Sequence, residues 1–465
     1  MTRQEGTLVA QLVQDVHARI AARSLLPGAR LPSIRAQASA RGVAITTVVD
    51  AYDRLVAEGV IESRRGAGFY VLGHPPPFNL AAAGNRLDRD VDPLWVSRQS
   101  LETPDHVLRP GCGWLPPPYM PEALLRRSMR ALARTDTATL TDYGNLRGHL
   151  KLREYLARRL NNFGVPAAPD QILLVDSGTQ AVDLLCRFLL EPGDTVLLDD
   201  PCYFNFRALL LAHRVHVVSV PYTPTGPDVT EFANILAKTK PRLYITNCAA
   251  HNPTGATLTA PVAHRILRLA EQHGVIIIED DIFADFEAEP SPRLAALDGL
   301  ERVIQIGSFS KTISASLRCG YIVVKPEWIG GLEDLKIATS FSSGGLSAEL
   351  LLNVLKDGAY RKHMEALRVK LARLMSQTIT RLQDFDINPW VIPRAGMHLW
   401  CALPETVDAT QVARRALTQD IILAPGNVFS PAQSAPNFLR FNVAQSLEPR
   451  IFQFFKQEYA VFKSS

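Results

Sequence analysis

Six short apolar runs alternate with stretches of helical pattern through the middle of the chain: Ile172 to Val175, Thr195 to Leu198, Val215 to Val220, Leu243 to Thr246, Val275 to Ile278 and Val303 to Ile306. Such alternation predicts an α/β fold, a mainly parallel sheet with helices on both faces. A sheet of that kind takes its ligand outside the carboxyl ends of its strands. The residues that follow the runs are therefore the first place to look for chemistry.

At 465 residues the chain is long enough for two or three domains, and at 47% hydrophobic and 21% charged it has an ordinary globular composition. Its net charge of +4 is uneven, because residues 1–73 hold nine arginines and six acidic residues and so carry +3 of the total. A small basic excess in a short head is compatible with contact to phosphates. The six cysteines (Cys112, Cys186, Cys202, Cys248, Cys319 and Cys401) lie far apart with no Cys-x-x-Cys pair and no histidine cluster. Neither a metal site nor a disulfide framework is indicated, and a reduced compartment follows. The chain opens without the apolar stretch of a signal peptide, and no run of about 18 apolar residues exists to span a bilayer. The cytoplasm is the expected location, with no membrane partner.

The head reads as three helices and a hairpin. Leu8, Leu12 and Val16, with Val9, Val13 and Ile20 beside them, put one apolar stripe on a first helix that ends before Leu26-Pro27-Gly28. Pro32 and Ser33 open a second helix running to Arg41, and Gly42 supplies the left-handed residue that closes it. A third runs from about Thr46 to Glu58, with Val49, Tyr52, Leu55 and Val56 expected on its inner face and Gly59 as its stop. Two short strands, 60–63 and 69–72, flank the basic tip Arg64-Arg65-Gly66-Ala67-Gly68. This pattern is a winged helix-turn-helix: the third helix enters the major groove of double-stranded DNA and the tip lies along the minor groove. From residue 74 to 109 periodicity is lost. His74-Pro75-Pro76-Pro77 is stiff and extended, so a linker joins the head (1–73) to a larger domain (110–465), and its Leu94, Trp95 and Val96 suggest that part of it docks there.

In the larger domain, Asp176-Ser177-Gly178-Thr179-Gln180 turns from a strand into a helix start, which aims free N–H groups at an anion. Asp199-Asp200-Pro201-Cys202-Tyr203 brings an aromatic face to the sheet edge, and His251-Asn252-Pro253-Thr254-Gly255 fixes an asparagine toward the cleft. Glu279-Asp280-Asp281 ends a wholly apolar strand, where a carboxylate is costly unless it meets a positive partner. Gly307-Ser308-Phe309-Ser310-Lys311 follows the next strand, with Arg318 seven residues on. This sets two hydroxyls and a second cation around an amine, and a lysine becomes nucleophilic when it is desolvated or placed beside another cation. Phe438-Leu439-Arg440-Phe441-Asn442 places an arginine in an apolar strand, where its fork suits a carboxylate.

These segments, in this order, resemble the fold type I aminotransferases over roughly residues 110 to 460. The head resembles that of the GntR regulators in Leu31-Pro32-Ser33-Ile34-Arg35, Thr46 to Tyr52, Leu55 to Gly59 and Ser63-Arg64-Arg65-Gly66-Ala67-Gly68. Together they resemble the MocR-like branch of that family. The resemblance implies a three-layer α/β/α domain with a smaller α+β C-terminal subdomain, and pyridoxal 5'-phosphate as cofactor. It implies that Lys311 forms the Schiff base, Asp280 pairs with the ring nitrogen, Asn252 binds the ring oxygen and Tyr203 stacks on the ring. Gly178, Thr179, Gln180, Ser308, Ser310 and Arg318 would bind phosphate and Arg440 the substrate carboxylate. Tyr143, in Tyr143-Gly-Asn-Leu-Arg-Gly148, matches a tyrosine lent across a homodimer interface to the neighbour's phosphate. Arg35, Thr46 and Thr47 would face the DNA, with Arg64, Arg65 and Gly66 at the wing.

The chain departs from the family pattern in two places. Ala44-Ile45 stands where the family usually has Ser-Arg, which removes a DNA contact, and Phe283 stands where it has a tyrosine that donates to the ring oxygen. The second loss disfavours the phenolate and slows transamination. The reading preferred is a cytoplasmic dimer that regulates transcription, with pyridoxal phosphate or an amino compound reacting with it at Lys311 as effector. The alternative is a working aminotransferase with an accessory head.

Overall fold

The computed structural model describes residues 8–21, 25, 28–64, 66–72 and 95–462. Arg65 of the hairpin tip, Leu94 and the proline run at 75–77 lie outside them. The chain divides into two compact units, Met1–Ala83 and Gly84–Ser465.

In the first unit, α1 (Leu8–Ala21), α2 (Ile34–Arg41) and α3 (Ile45–Ala57) precede an antiparallel hairpin of β1 (Ile61–Arg64) and β2 (Gly68–Val71). Ser33 caps α2 by accepting from the Ala36 N–H at 3.2 Å, and Gly42 closes it at φ 64°. Leu12, Val13 and Val16 of α1 pack against α3. The inner face of α3 differs from the expected one. Val48, Ala51, Tyr52 and Leu55 are buried, whereas Val56 is 38% exposed and Val49 only half-buried. The buried set follows the i, i+3, i+4, i+7 stripe of one helix face, and the alanine at 51 completes it. Tyr52 locks helix to wing, donating to the Pro32 carbonyl at 3.0 Å and meeting the Phe69 ring edge-on at 5.0 Å.

The second unit opens with α4 (Trp95–Glu102) inside the stretch read as linker. Its Val96 is buried among Phe204, Trp400 and Phe429, and Leu108 and Gly111 hydrogen-bond to Asp420 and Ile422. The sheet contains β3 (Ile172–Val175), β4 (Thr195–Asp200), β5 (His216–Thr223), β6 (Gly226–Pro227), β7 (Leu243–Thr246), β8 (Ile276–Asp280), β9 (Val303–Ser308) and β10 (Gly320–Val323), ordered β3-β10-β9-β8-β7-β4-β5-β6. The pairs from β5 through β4, β7 and β8 to β9 are parallel, and alternate side chains enter different cores: Leu173, Val175, Leu243 and Ile245 on one face, Ile172, Leu174 and Tyr244 on the other. A sheet buried on both faces explains the uninterrupted apolar runs.

β10 was not among the expected strands. It pairs antiparallel with both β3 and β9, because the loop after Ser308 is too short to hold a helical crossover and must return the chain directly. A smaller antiparallel sheet, ordered β11-β12-β14-β13, forms near the C-terminus from β11 (Asn388–Pro389), β12 (His398–Ala402), β13 (Ala424–Pro425) and β14 (Phe438–Asn442). Arg440 sits at its centre, opposite Trp400 and Ala424.

The acidic end of β8 is braced from below. Arg293, fully buried, pairs with Asp281 at 2.9 Å and Glu287 at 2.6 Å, while Glu279 accepts from the Leu294 and Ala295 N–H groups at 2.8 and 2.9 Å. Arg293→Ala leaves two carboxylates buried without their cation. It is expected to cost about 3–5 kcal/mol of stability, read as a lowered denaturant midpoint of the larger unit; an unchanged midpoint would show that water replaces the guanidinium.

Candidate cofactor and ligand site

The parallel strands deliver their following residues to one edge of the sheet. β3 leads to Ser177 and Gly178, β4 to Tyr203, β7 to Asn247 and Asn252, β8 to Asp280, and β9 to Ser308, Ser310 and Lys311. β10, running the other way, begins at that same edge just after Arg318. Gly320 allows this close approach: a Cβ there would lie 2.9 Å from the Ser177 carbonyl carbon.

These residues enclose a cavity of about 260 Å³. Of the candidate residues, Gly178, Thr179, Tyr203, Asn252, Asp280, Ser308, Ser310, Lys311, Arg318 and Arg440 line it, as does Phe283. Two others do not. Gln180 turns its side chain back to accept from the Asp176 N–H at 2.5 Å, and its own N–H caps onto Ser177 Oγ at 3.0 Å. Tyr143 stands 73% exposed with its ring 4.8 Å from that of Phe341.

One end of the cavity suits an anion. The helix Gly178–Leu189 begins there, and a Cβ built on Gly178 would meet no atom within 4 Å, so its first turn opens onto free space. Ser308 and Ser310 share a hydrogen bond at 2.9 Å beside it, and Arg318 adds a cation. In the middle stand the amine and the acid. Lys311 Nζ donates to the Gly113 carbonyl at 2.8 Å. Burial lowers its pKa to about 8, the nearby Arg440 charge acting in the same direction. Asp280 accepts from the Ile282 N–H at 3.0 Å, yet burial pushes its carboxyl up to about 7. Tyr203 adds an aromatic face, and burial raises its phenol as well.

At the other end Arg440 donates from Nη1 to Asn252 Oδ1 at 2.8 Å and from Nη2 to the Gly111 carbonyl at 2.8 Å, with Phe429 4.6 Å below its guanidinium. Burial lowers its pKa to about 10. Two of its five N–H groups are thereby aimed, and the bond from Arg440 occupies the Asn252 carbonyl oxygen, leaving that amide's NH2 to serve the cavity. Asn252 is itself placed by Asn247, whose Oδ1 accepts from the Asn252 N–H at 2.9 Å and whose Nδ2 donates to the Asp280 carbonyl at 2.6 Å.

Asn247 was not among the sequence candidates, nor were Trp114, Ser97, Ser100 and Leu101, which also line the cavity. An amide directly after an apolar strand was a legible signal for Asn247. The α4 residues carried none, since their stretch has no period.

An anion cradle, a desolvated amine, a buried acid and an aromatic face in one cavity fit a phosphorylated aldehyde with a protonatable ring. The family profile for aminotransferase class I and II matches residues 117–451, and that for bacterial regulatory proteins of the gntR family matches residues 8–71. The chain belongs to the class I and II aminotransferase family and carries a gntR-type head. This is the MocR-like architecture: a gntR-type regulator fused to an aminotransferase-like domain.

Curated relatives share both parts. An uncharacterized HTH-type transcriptional regulator of Escherichia coli, YdcR, is 28% identical over 96% of this chain and 97% of its own. NorG of Staphylococcus aureus, an HTH-type transcriptional regulator, is 27% identical over 87% of this chain and 94% of its own. Among solved structures, the fold is shared with LysN, the α-aminoadipate aminotransferase of Thermus thermophilus complexed with N-(5'-phosphopyridoxyl)-L-leucine (TM-score 0.72, 24% identity, 83% of this chain, 97% of that one). It is also shared with the Pyrococcus horikoshii kynurenine aminotransferase in complex with PMP (TM-score 0.74, 23% identity, 83% of this chain, 97% of that one). Among the described residues, no helix of this MocR-like chain is long and apolar enough to cross a membrane.

The neutral amine is the form that attacks an aldehyde, and Lys311 loses its proton at about 8 instead of the ordinary 10.5. If pyridoxal phosphate condenses with this amine, its uptake into a visible-absorbing form is expected to quicken about tenfold per pH unit up to that value and then level off. Stopped-flow absorbance from pH 6 to 10 measures this; a rise that continues to the top of the range would mean a solvated lysine.

Proposed function

We propose that this protein is a transcriptional regulator whose binding to an operator responds to pyridoxal 5'-phosphate at Lys311, or to an amino compound that reacts with it there. When bound, the cofactor supplies an aldehyde and an electron-accepting ring. The chain's own residues then divide the work: Lys311 is the covalent anchor, Asp280 the partner of the ring nitrogen, Asn252 a donor to the ring oxygen and Tyr203 the stacking face. Gly178, Thr179, Ser308, Ser310 and Arg318 hold the phosphate, and Arg440 takes the carboxylate of the amino compound. On the DNA side the proposed contacts are Arg35, Thr46 and Thr47, with Arg64, Arg65 and Gly66 at the wing. Arg35, Thr46, Arg64 and Gly66 are exposed, and the Arg64 guanidinium also meets Glu62 at 2.6 Å and lies 4.5 Å over the Tyr70 ring.

The observation that carries a regulatory reading over a metabolic one is Phe283. It lines the cavity and packs on Phe286 and His398, so no hydroxyl is available where a turnover enzyme of this family has one. The position of α4 agrees with a sensing role. It is the first described element after the head, and Ser97, Ser100 and Leu101 line the cavity. A ligand that touches α4 touches the stretch of chain leading back to the head, and differential contact of this kind is what a population shift requires.

The proposal includes a homodimer. Tyr143 and Phe341, 73% and 53% exposed, form an aromatic pair that a second copy of the chain would cover.

Lys311→Ala is expected to abolish both the visible absorption band and the effect of added pyridoxal phosphate on promoter occupancy, while DNA binding without ligand persists and weakens steeply with salt. Titrations of a labelled upstream fragment, run with wild type and variant, decide this; a ligand response that survives the substitution refutes the proposal. Phe283→Tyr is expected to restore a donor to the ring oxygen and raise amino-group transfer by about ten- to a hundredfold. Steady-state assays with a panel of amino acids and a keto acid measure it, and high turnover by the unaltered protein would favour the aminotransferase reading.

A further inference from the structure

Ala44 and Ile45 replace the Ser-Arg pair usual at this point of the head, and the structure gives the replacement a shape. Ile45 is the first residue of α3 and is 52% exposed, although the core of the head is closed one turn later by Val48, Ala51, Tyr52 and Leu55. Its exposure therefore does nothing for the fold. The first turn of the helix, Ile45 to Val48, carries no charged side chain. Ala44 caps the helix with no side-chain hydrogen bond, the first turn holds no acidic residue, and Arg41 just before it is drawn away to Asp15 at 2.5 Å. Thr46 beside it is exposed as well.

In a helix-turn-helix head the residues at the start of the recognition helix are the ones that reach base edges. Of the four bases, thymine alone shows an apolar group in the major groove, its 5-methyl, while guanine shows the acceptor pair that an arginine would take. We infer that Ile45 reads a thymine methyl, so that this head prefers thymine where an arginine-bearing relative would select guanine. The inference rests on the operator reading above and adds a base preference to it.

The test uses the full chain and a random duplex pool, with sequencing of the retained fraction, followed by replacement of each selected thymine by deoxyuridine, one at a time. At the position read by Ile45, loss of the methyl is expected to weaken binding about fourfold, the size that follows from burying one methyl-sized group. Ile45→Ala is expected to bind thymine and deoxyuridine equally there, and Ile45→Arg to shift the selected base toward guanine. The inference falls if every deoxyuridine duplex binds wild type as well as its parent, or if Ile45→Arg selects the wild-type sequence. If no sequence is enriched at all, the operator reading falls and takes the inference with it. Enriched sequences without methyl dependence overturn the inference alone.

Discussion

Lys311, half-buried, and Asp280, buried, line the same cavity, and the rest of the site is arranged around the partial loss of water that they share. Each group is pushed toward its neutral form, the amine to about 8 and the acid to about 7. Such a pair gains little by neutralising itself and is poised for a partner that carries both an aldehyde and a protonatable ring. Arg440 belongs to the same economy of water: burial weakens its hold on its proton, and Asn252, Gly111 and Phe429 orient its guanidinium.

Keeping ionisable groups dry requires rigid support, which comes from beneath the strand ends. Arg293 compensates Asp281 and Glu287 without reaching the cavity. A second buried network stands under the Asn252 turn, where Asp199 accepts from Tyr244 and Thr246 at 2.5 and 2.7 Å and His251 lies stacked on Tyr222 at 3.8 Å. These contacts fix the height at which Tyr203 and Asn252 enter the cavity, and they explain why so many polar residues survive at the end of an apolar sheet.

The head follows a simpler logic. Its core is small, twelve buried residues among those described, and a single side chain, Tyr52, joins helix, turn and wing at once. Ile45 lies outside that core, and what singles it out is its place as the first residue of α3 and not its exposure alone.

Much of this was legible in the linear chain. The strands of the parallel sheet are uniformly apolar because both faces are buried, and the turns that follow them carry the polar side chains, so strand positions and most cavity residues could be read together. Three things were decided only by tertiary structure. β10 became a strand because a short loop had to return between β9 and β3, a constraint of connection length that local pattern does not record. Trp114 and α4 joined the cavity through contacts with elements distant in sequence. The inner face of α3 settled on Val48 and Ala51 because packing against α1 selects one stripe among several hydrophobic residues. Spacing along the chain dictated which residues leave each strand end; the distance between those ends, and hence the partial burial that lowers the pKa of Lys311, exists only once the sheet has closed them around one cavity.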